Sequence, residues 1–102
     1  MKAEHGKIEG NVIVNEEWSL FGMVTGNISI QTGGQLYLHG MCCENVVLYE
    51  GSRVFIYGIV TGNVYNRGGY LEVYGMIIGN LHDEEGKTYV DNKAIIHGKT
   101  HG

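Results

Sequence analysis

Histidine, cysteine, serine and carboxylate side chains are the groups in this sequence that could perform acid–base, nucleophilic or metal chemistry. Hydrolysis of a glycosidic bond needs two carboxyl groups that face one cleft, yet the two aspartates, Asp83 and Asp91, both fall in one late segment. Nucleophilic catalysis by serine needs a base beside it, and none of the three serines lies next to a histidine. The sequence therefore predicts no enzyme and no catalytic residue.

The cysteines and histidines also lack the spacing of a metal site. Cys42 and Cys43 are adjacent, with no CxxC motif and no Cys/His cluster. Neighbouring residues on a strand point to opposite faces, so we expect two reduced thiols, one buried and one outside, in a reducing and cytoplasmic compartment. His39 and His97 are expected in one outward column, but about three coils apart, on the order of 14 Å. No metal and no cofactor is expected.

Length and composition narrow the class of protein further. The chain has 102 residues, 43% of them hydrophobic, which suits one small domain. Its net charge of −4 offers no basic footprint for nucleic acid. No apolar run approaches the roughly 20 residues that a membrane helix needs, and no secretory signal is visible near Met1.

An internal repeat supplies the elements that must position any site. Gly-Asn occurs at Gly10, Gly26, Gly62 and Gly79, and Glu44-Asn45 fills the missing place, so the steps are 16, 18, 18 and 17 residues. A second glycine series, Gly22, Gly40, Gly58 and Gly75, and a third at residues 33–34, 51 and 68–69 follow the same step. Apolar residues between the glycines alternate with the period of a strand.

Short strands at a fixed step predict an all-β fold, a single-stranded β-helix of about five coils of 16–18 residues, with a right-handed coil favoured. Equivalent residues of successive coils then form columns. The expected inward columns are Trp18-Leu36-Val54-Leu71, Leu20-Leu38-Ile56-Val73, Val12-Ile28-Val46-Val64-Leu81 and Ile8-Val24-Cys42-Val60-Ile77. The asparagines of the Gly-Asn repeat are expected to hydrogen-bond along the axis.

The regular step is interrupted near the end of the chain. Gly75 to Gly98 spans 23 residues, which is longer than any other step. We therefore expect a β-helix domain over 8–98 with a protruding loop at 82–93, a flexible N-terminus over 1–7 and a frayed C-terminus over 99–102.

Outward columns rich in aromatic and methionine side chains form the candidate interaction surface. Exposed apolar area of this kind marks a protein contact. The candidate interface residues are Phe21, Met23, Tyr37, His39, Met41, Phe55, Tyr57, Ile59, Tyr74 and Met76. His97 is expected to end the column that contains Tyr74, and Ile95 the column that contains Phe55 and Glu72.

A second candidate surface is acidic. Its residues fall at corresponding corners of the expected coils and are Glu16, Glu17, Glu50, Asp83, Glu84 and Glu85. Arg67 interrupts this acidic series. Such a ridge would dock a basic partner and speed its association.

The motif Gly-x-Val-x-Gly-Asn-Val resembles the coils of the bactofilins, which are bacterial cytoskeletal proteins. It occurs at residues 22–28 and 58–64, with a weaker copy at 75–81. The resemblance implies a β-helix core that self-associates or polymerises end to end without nucleotide, in a bacterial cytoplasm. The function expected is thus a non-enzymatic module that acts by protein–protein contact, chiefly with itself.

Two alternatives remain open. The size, the acidity and the Tyr/Met-rich wall also suit a bacterial immunity protein that binds and neutralises a cognate toxin domain. An aliphatic residue at every sixth position from Val24 to Val60 is similar to the hexapeptide repeat of left-handed β-helix acyltransferases. Glycine, however, lies two places after Val24 and not one.

Overall fold

The computed structural model describes residues 2–102, in which every regular element is a β-strand and no helix occurs. All pairings between strands are parallel, and each pairs a strand with its equivalent about 18 residues further along the chain. The chain is a β-solenoid of about six turns. The all-β repeat fold is therefore confirmed, with one turn more than the expected five.

Each turn contributes one strand to each of three faces. Face 1 contains β1 (Lys2–Glu4), β4 (Glu17–Leu20), β7 (Gln35–Leu38) and β10 (Arg53–Ile56). Face 2 contains β2 (Lys7–Ile8), β5 (Met23–Val24), β8 (Met41–Cys42), β11 (Ile59–Val60), β13 (Met76–Ile77) and β15 (Ile95–Ile96). Face 3 contains β3 (Val12–Val14), β6 (Ile28–Ile30), β9 (Val46–Tyr49) and β16 (Thr100–His101).

Two long strands join faces 3 and 1 in the later turns. They are β12 (Val64–Val73) and β14 (Leu81–Val90), which pair along their length with register shifts around Arg67. The segment expected to protrude as a loop at 82–93 is therefore largely strand. The terminal segments expected to be flexible or frayed also contain strands, since β1 pairs with β4 and β16 pairs with β14. Met1 lies outside the described residues.

The core is the set of inward columns expected from the alternating pattern. All four columns stack in the expected register, and their members from Val24 to Leu81 are almost completely buried. A fifth column, which the sequence analysis missed, stacks Val14, Ile30 and Leu48 beneath Asn66. Because no turn can bury its inner side alone, stacking of like residues stabilises the fold.

Polar side chains occupy core positions at both ends of the solenoid. In the first turn Lys2 aligns with Trp18 and Glu4 with Leu20, and the Lys2 ammonium lies 4.4 Å from the centre of the Trp18 ring. In the last turn Thr88 aligns with Leu71, and its hydroxyl donates to Asp83 at 2.9 Å and accepts from Asn66 at 2.9 Å. These residues cover part of the apolar core at each end, while Val90, which aligns with Val73 in the last turn, is partly exposed.

The corner between faces 3 and 1 absorbs the differences in turn length. Trp18 follows the inward Val14 by four positions, but Leu36 follows Ile30 by six. Between faces 1 and 2 the corresponding distance is four residues in each of the first five turns, as from Leu38 to Cys42. Gly33 and Gly51 at the variable corner have φ of 85° and 80°, a region that favours glycine.

Candidate functional site: an apolar groove beside stacked rings

A column of stacked rings runs along the corner between faces 1 and 2. This ring column consists of His5, Phe21, His39, Tyr57 and Tyr74, with centroids 4.7 to 5.3 Å apart and planes within 8° of parallel. Parallel pairing places equivalent corner residues above one another at the strand spacing, which is also a favourable ring spacing. The exposed fractions of Phe21 and Tyr57, 47% and 46%, show that the column faces solvent.

A column of glycines follows the rings directly. This glycine column consists of Gly6, Gly22, Gly40, Gly58 and Gly75. A Cβ atom at any of the last four would lie only 1.9 to 2.1 Å from a carbonyl oxygen of the preceding turn, which is closer than real Cβ atoms approach. Their φ values are not positive. Glycine is therefore required here because the turns approach closely, and not because the backbone is left-handed.

The outward residues of face 2 form the next column. Met23, Met41, Ile59 and Met76 are paired in register and constitute the methionine column, which begins at Lys7 and ends at Ile95. Between this column and the ring column lies an open groove of about 880 Å³. Its floor is the glycine column, and Lys7 and Lys93 lie at its two ends.

The groove brings together seven of the ten expected interface residues. They are His39, Tyr57 and Tyr74 of the ring column and Met23, Met41, Ile59 and Met76 of the methionine column. Phe21 belongs to the ring column but is not among the residues that line the groove. Tyr37 and Phe55 lie apart on face 1, where they stack with centroids 5.0 Å apart. Phe55 also meets Tyr70 edge to face at 6.1 Å.

Two expected column members lie elsewhere. The backbone N–H of His97 donates to Ile77 and Gly98 pairs with Gly79, so His97 aligns with Ile78 and not with Tyr74. Ile95 pairs with Met76, while Glu72 pairs with Tyr89. Both predictions were wrong because Gly98 was aligned with Gly75, whereas Ala94 occupies that glycine position.

His5, Gly6 and Lys7 are the groove residues that the sequence analysis missed. A signal for them exists, because His5-Gly6-Lys7-Ile8 repeats the order ring, glycine, any residue, aliphatic that occurs in residues 21–24 and 57–60. Lys93 was also missed. It precedes Ala94, so in the last turn it takes the position of the ring.

The acidic residues do lie at the corner between faces 3 and 1, but they do not form a continuous ridge. Glu84 pairs with the Arg67 guanidinium at 3.2 Å, and Asp83 accepts the Thr88 hydroxyl. Glu85 aligns with Arg67, and Glu50 precedes the tight glycine turn at Gly51. Glu16 and Glu17 open the same corner in the first turn.

A ladder of asparagines fixes the corner between faces 2 and 3. The side-chain carbonyl of Asn11 accepts the backbone N–H of Asn27 at 2.8 Å, and Asn27, Asn45 and Asn63 repeat the contact at 2.8 to 2.9 Å. Asn80 extends it to the N–H of Lys99. The expected bonding along the axis is confirmed, as contacts from side chain to backbone.

Hydrogen bonding and burial shift the pKa values of several side chains on faces 1 and 2. The Glu72 carboxylate accepts hydrogen bonds from the hydroxyls of Tyr70 and Tyr74. The bond to Glu72 raises the pKa of Tyr74 to about 12. The hydrogen bonds from Tyr70 and Tyr74 together lower the pKa of Glu72. Burial raises the pKa of the Cys42 thiol to about 11; Cys42 and the half-buried Cys43 are both free thiols.

No group of three or more His, Cys, Asp or Glu side chains within residues 2–102 is arranged to hold a metal ion. Over the same residues no helix is long and apolar enough to cross a membrane. No protein-family model, no curated protein and no solved structure matches this chain.

Proposed function

We propose that this protein is a non-enzymatic solenoid module that acts by protein–protein contact, and that it associates with itself side by side through face 1. The observation that carries the proposal is the rigid aromatic surface of this face. Phe55 contacts both Tyr37 and Tyr70 there, next to the ring column. Side chains already ordered by stacking lose little conformational entropy when a partner covers them.

The surface of the chain is large enough for a specific contact. A standard interface buries about 800 Å² on each partner, which is less than a sixth of the 5222 Å² surface of this chain. Tyr and Phe are enriched at the centres of such interfaces. Hydrogen bonds from Gln35 to Tyr37 and from Tyr70 to Glu72 hold the ring edges in place.

Side-by-side contact is favoured over stacking of the ends. Joining two solenoids end to end would bury Lys2 and Glu4 of one copy, which occupy core positions in the first turn. Burial of charged groups is costly unless each finds a partner. The lysines Lys7, Lys87 and Lys99 also lie in the first and last turns, and edge lysines oppose pairing between sheets. The free cysteines suit a reducing compartment such as the cytoplasm.

The test is the oligomeric state of a variant that carries charge on face 1. Tyr37→Asp combined with Phe55→Asp should shift the protein from a concentration-dependent oligomer to a monomer in sedimentation velocity. Tyr65→Asp is the control, because Tyr65 is an aromatic residue of face 3 that stacks on His82. A wild-type chain that stays monomeric at every concentration would reject self-association and leave a different partner, such as a toxin domain, to be sought.

A further inference from the structure

The groove between the ring column and the methionine column has the shape of a straight trough. It extends from His5 and Lys7 in the first turn to Lys93 and Ile95 in the last. Because these residues belong to the first and last turns, the trough runs along nearly the whole solenoid. No side chain can fill its floor, because a Cβ atom at Gly22, Gly40 or Gly58 would collide with backbone.

The backbone groups of the central floor glycines are already hydrogen-bonded within the solenoid. The carbonyls of Gly22 and Gly40 accept the N–H groups of Met41 and Ile59 at 3.0 Å. The N–H groups of the same two glycines donate to Glu4 and Leu20 at 3.1 and 2.9 Å. A peptide strand or a sugar laid along this floor would lose hydrogen bonds to water without replacing them.

The walls also favour an aliphatic ligand. Stacking covers both faces of His39 and Tyr57, which line the groove, so these rings present their edges to it and no face on which a planar group could lie. The opposite wall carries methionines, whose flexible thioether chains adapt to irregular apolar ligands. A long, narrow trough with apolar walls is suited to an unbranched hydrocarbon chain, for which burial stabilises each methylene group.

The charges at the two ends select the head group. In a chain of net charge −4, both ends of the trough carry a lysine. Lys7 already lies 3.6 Å from Glu9. Among the described residues Lys93 has no ion pair, and the neighbouring Asp91 accepts its backbone N–H and the Tyr89 hydroxyl. Lys93 is therefore the cation that remains for a ligand carboxylate.

We propose that the groove binds one long-chain fatty acid, with the hydrocarbon chain along the glycine column and the carboxylate at Lys93. This site is separate from the self-association surface on face 1. Binding of the chain requires Ile59 and Met41 at the middle of the trough, while the preference for an anion requires Lys93.

The experiment is isothermal titration of the full chain with palmitate below its micelle concentration. We expect one molecule per chain, with affinity that rises several-fold from dodecanoate to palmitate because more methylenes are buried. Ile59→Asp should weaken palmitate binding by roughly tenfold or more. Val47→Asp is the matched control, since Val47 is the outward residue at the middle of face 3, and it should leave the affinity unchanged.

The head group is tested with a second pair of variants. Lys93→Glu should weaken palmitate binding about three- to tenfold, whereas Lys99→Glu makes the same change of charge outside the groove and should have no effect. Dodecyltrimethylammonium should bind the wild type more weakly than dodecanoate does. Circular dichroism of each variant verifies that it has folded.

Four results would overturn the proposal. The first is that the wild type does not bind palmitate. The second is that Ile59→Asp binds palmitate as tightly as the wild type does, and the third is that the wild type binds dodecyltrimethylammonium as tightly as dodecanoate. The fourth is that Ile59→Asp is a monomer where the wild type is a dimer. The last result would assign the groove to a second copy. The variant that combines Tyr37→Asp with Phe55→Asp should still bind palmitate. Failure of the self-association proposal can therefore be distinguished from failure of the fatty-acid proposal.

Discussion

The adjacent cysteines are chemically distinct, although they are the same residue type. Cys42 is buried and its thiol lies 3.4 Å from the carbonyl of Gly26, and burial raises its pKa to about 11. Only the thiolate reacts readily with alkylating agents. Iodoacetamide at neutral pH should therefore label Cys43 and spare Cys42 in the folded protein, as checked by peptide mass spectrometry.

The Cys43→Ser variant provides the control for this labelling. It should resist alkylation while folded and react when denaturant exposes Cys42. Rapid labelling of Cys42 in the folded Cys43→Ser variant would contradict the buried position of this thiol.

Glu72 controls the ionisation of its neighbouring phenols. Its carboxylate accepts the hydroxyl of Tyr74 and favours the protonated phenol, so the pKa of Tyr74 is raised to about 12. A phenol whose pKa is raised by folding adds stability below its unfolded pKa near 10.0, and this stability is lost as the pH rises toward the folded value. Glu72→Gln should lower the Tyr74 pKa toward 10.0, as measured by NMR titration of labelled tyrosine rings.

The control for this titration is Glu84→Gln. Glu84 pairs with Arg67 at another corner, so its replacement should leave the Tyr74 titration unchanged. A Tyr74 pKa that is the same in the wild type and in Glu72→Gln would show that the carboxylate does not set it.

At the scale of the element, the glycine column allows the turns to approach at the corner between faces 1 and 2. Gly40→Ala would push a methyl group into the carbonyl oxygen of Gly22, and we expect a loss of about 3 kcal/mol or more of unfolding free energy. Gly6→Ala is the control in the same column, because no earlier turn lies against Gly6 and the nearest atom is 3.4 Å away. Urea denaturation compares the two variants.

The asparagine ladder also acts at the scale of the element. Asn45→Ala removes the acceptor of the Asn63 N–H, and an unsatisfied backbone N–H costs about 1–3 kcal/mol. The midpoint of urea unfolding should fall accordingly. An unchanged midpoint would mean that solvent replaces the lost acceptor at this corner.

The sequence was sufficient to predict the elements where the repeat is regular. Alternating residues such as Leu36, Leu38 and Ile56 identify the inward columns, because only inward positions are buried in a stacked strand. Registers in the last turn were not predictable from glycine spacing, since Ala94 replaces a glycine and Lys99 replaces an asparagine. The last turn has two more residues than the earlier turns at the corner between faces 1 and 2. They form a turn in which the backbone N–H of Ala94 donates to the carbonyl of Asp91.

The groove was predictable only in part. The aromatic and methionine columns follow from sequence spacing, and they were expected to form one outward interaction surface. Their separation by a trough follows from close backbone approach along Gly22 and Gly40, which is a property of three-dimensional packing. The position of Lys93 at the end of the groove was not predictable from the sequence, because it depends on the shifted register of the last turn.

At the scale of the whole molecule, the polar residues at core positions should keep the ends from joining. Replacing the two charged residues at core positions of the first turn, as Lys2→Ile with Glu4→Val, would expose an apolar surface that matches the core of a second copy. We expect this variant to form elongated assemblies, visible by electron microscopy and as increased light scattering.

The matched control is Arg67→Ile with Glu44→Val. Both residues are exposed in the middle turns, so this pair makes the same change in charge and hydrophobicity away from the ends. Elongated assemblies of the control, or none from the first-turn variant, would show that the terminal charges do not govern the joining of ends.

The unequal corner lengths also have a consequence for engineering and for evolution. The backbone lengthens or shortens where face 3 meets face 1, while the corner that carries the trough keeps a constant four-residue spacing through five turns. A foreign epitope grafted beside Gly33 or Gly51 would thus project from the far edge of the molecule. The scaffold can accept new loops there without altering what it holds on the opposite side.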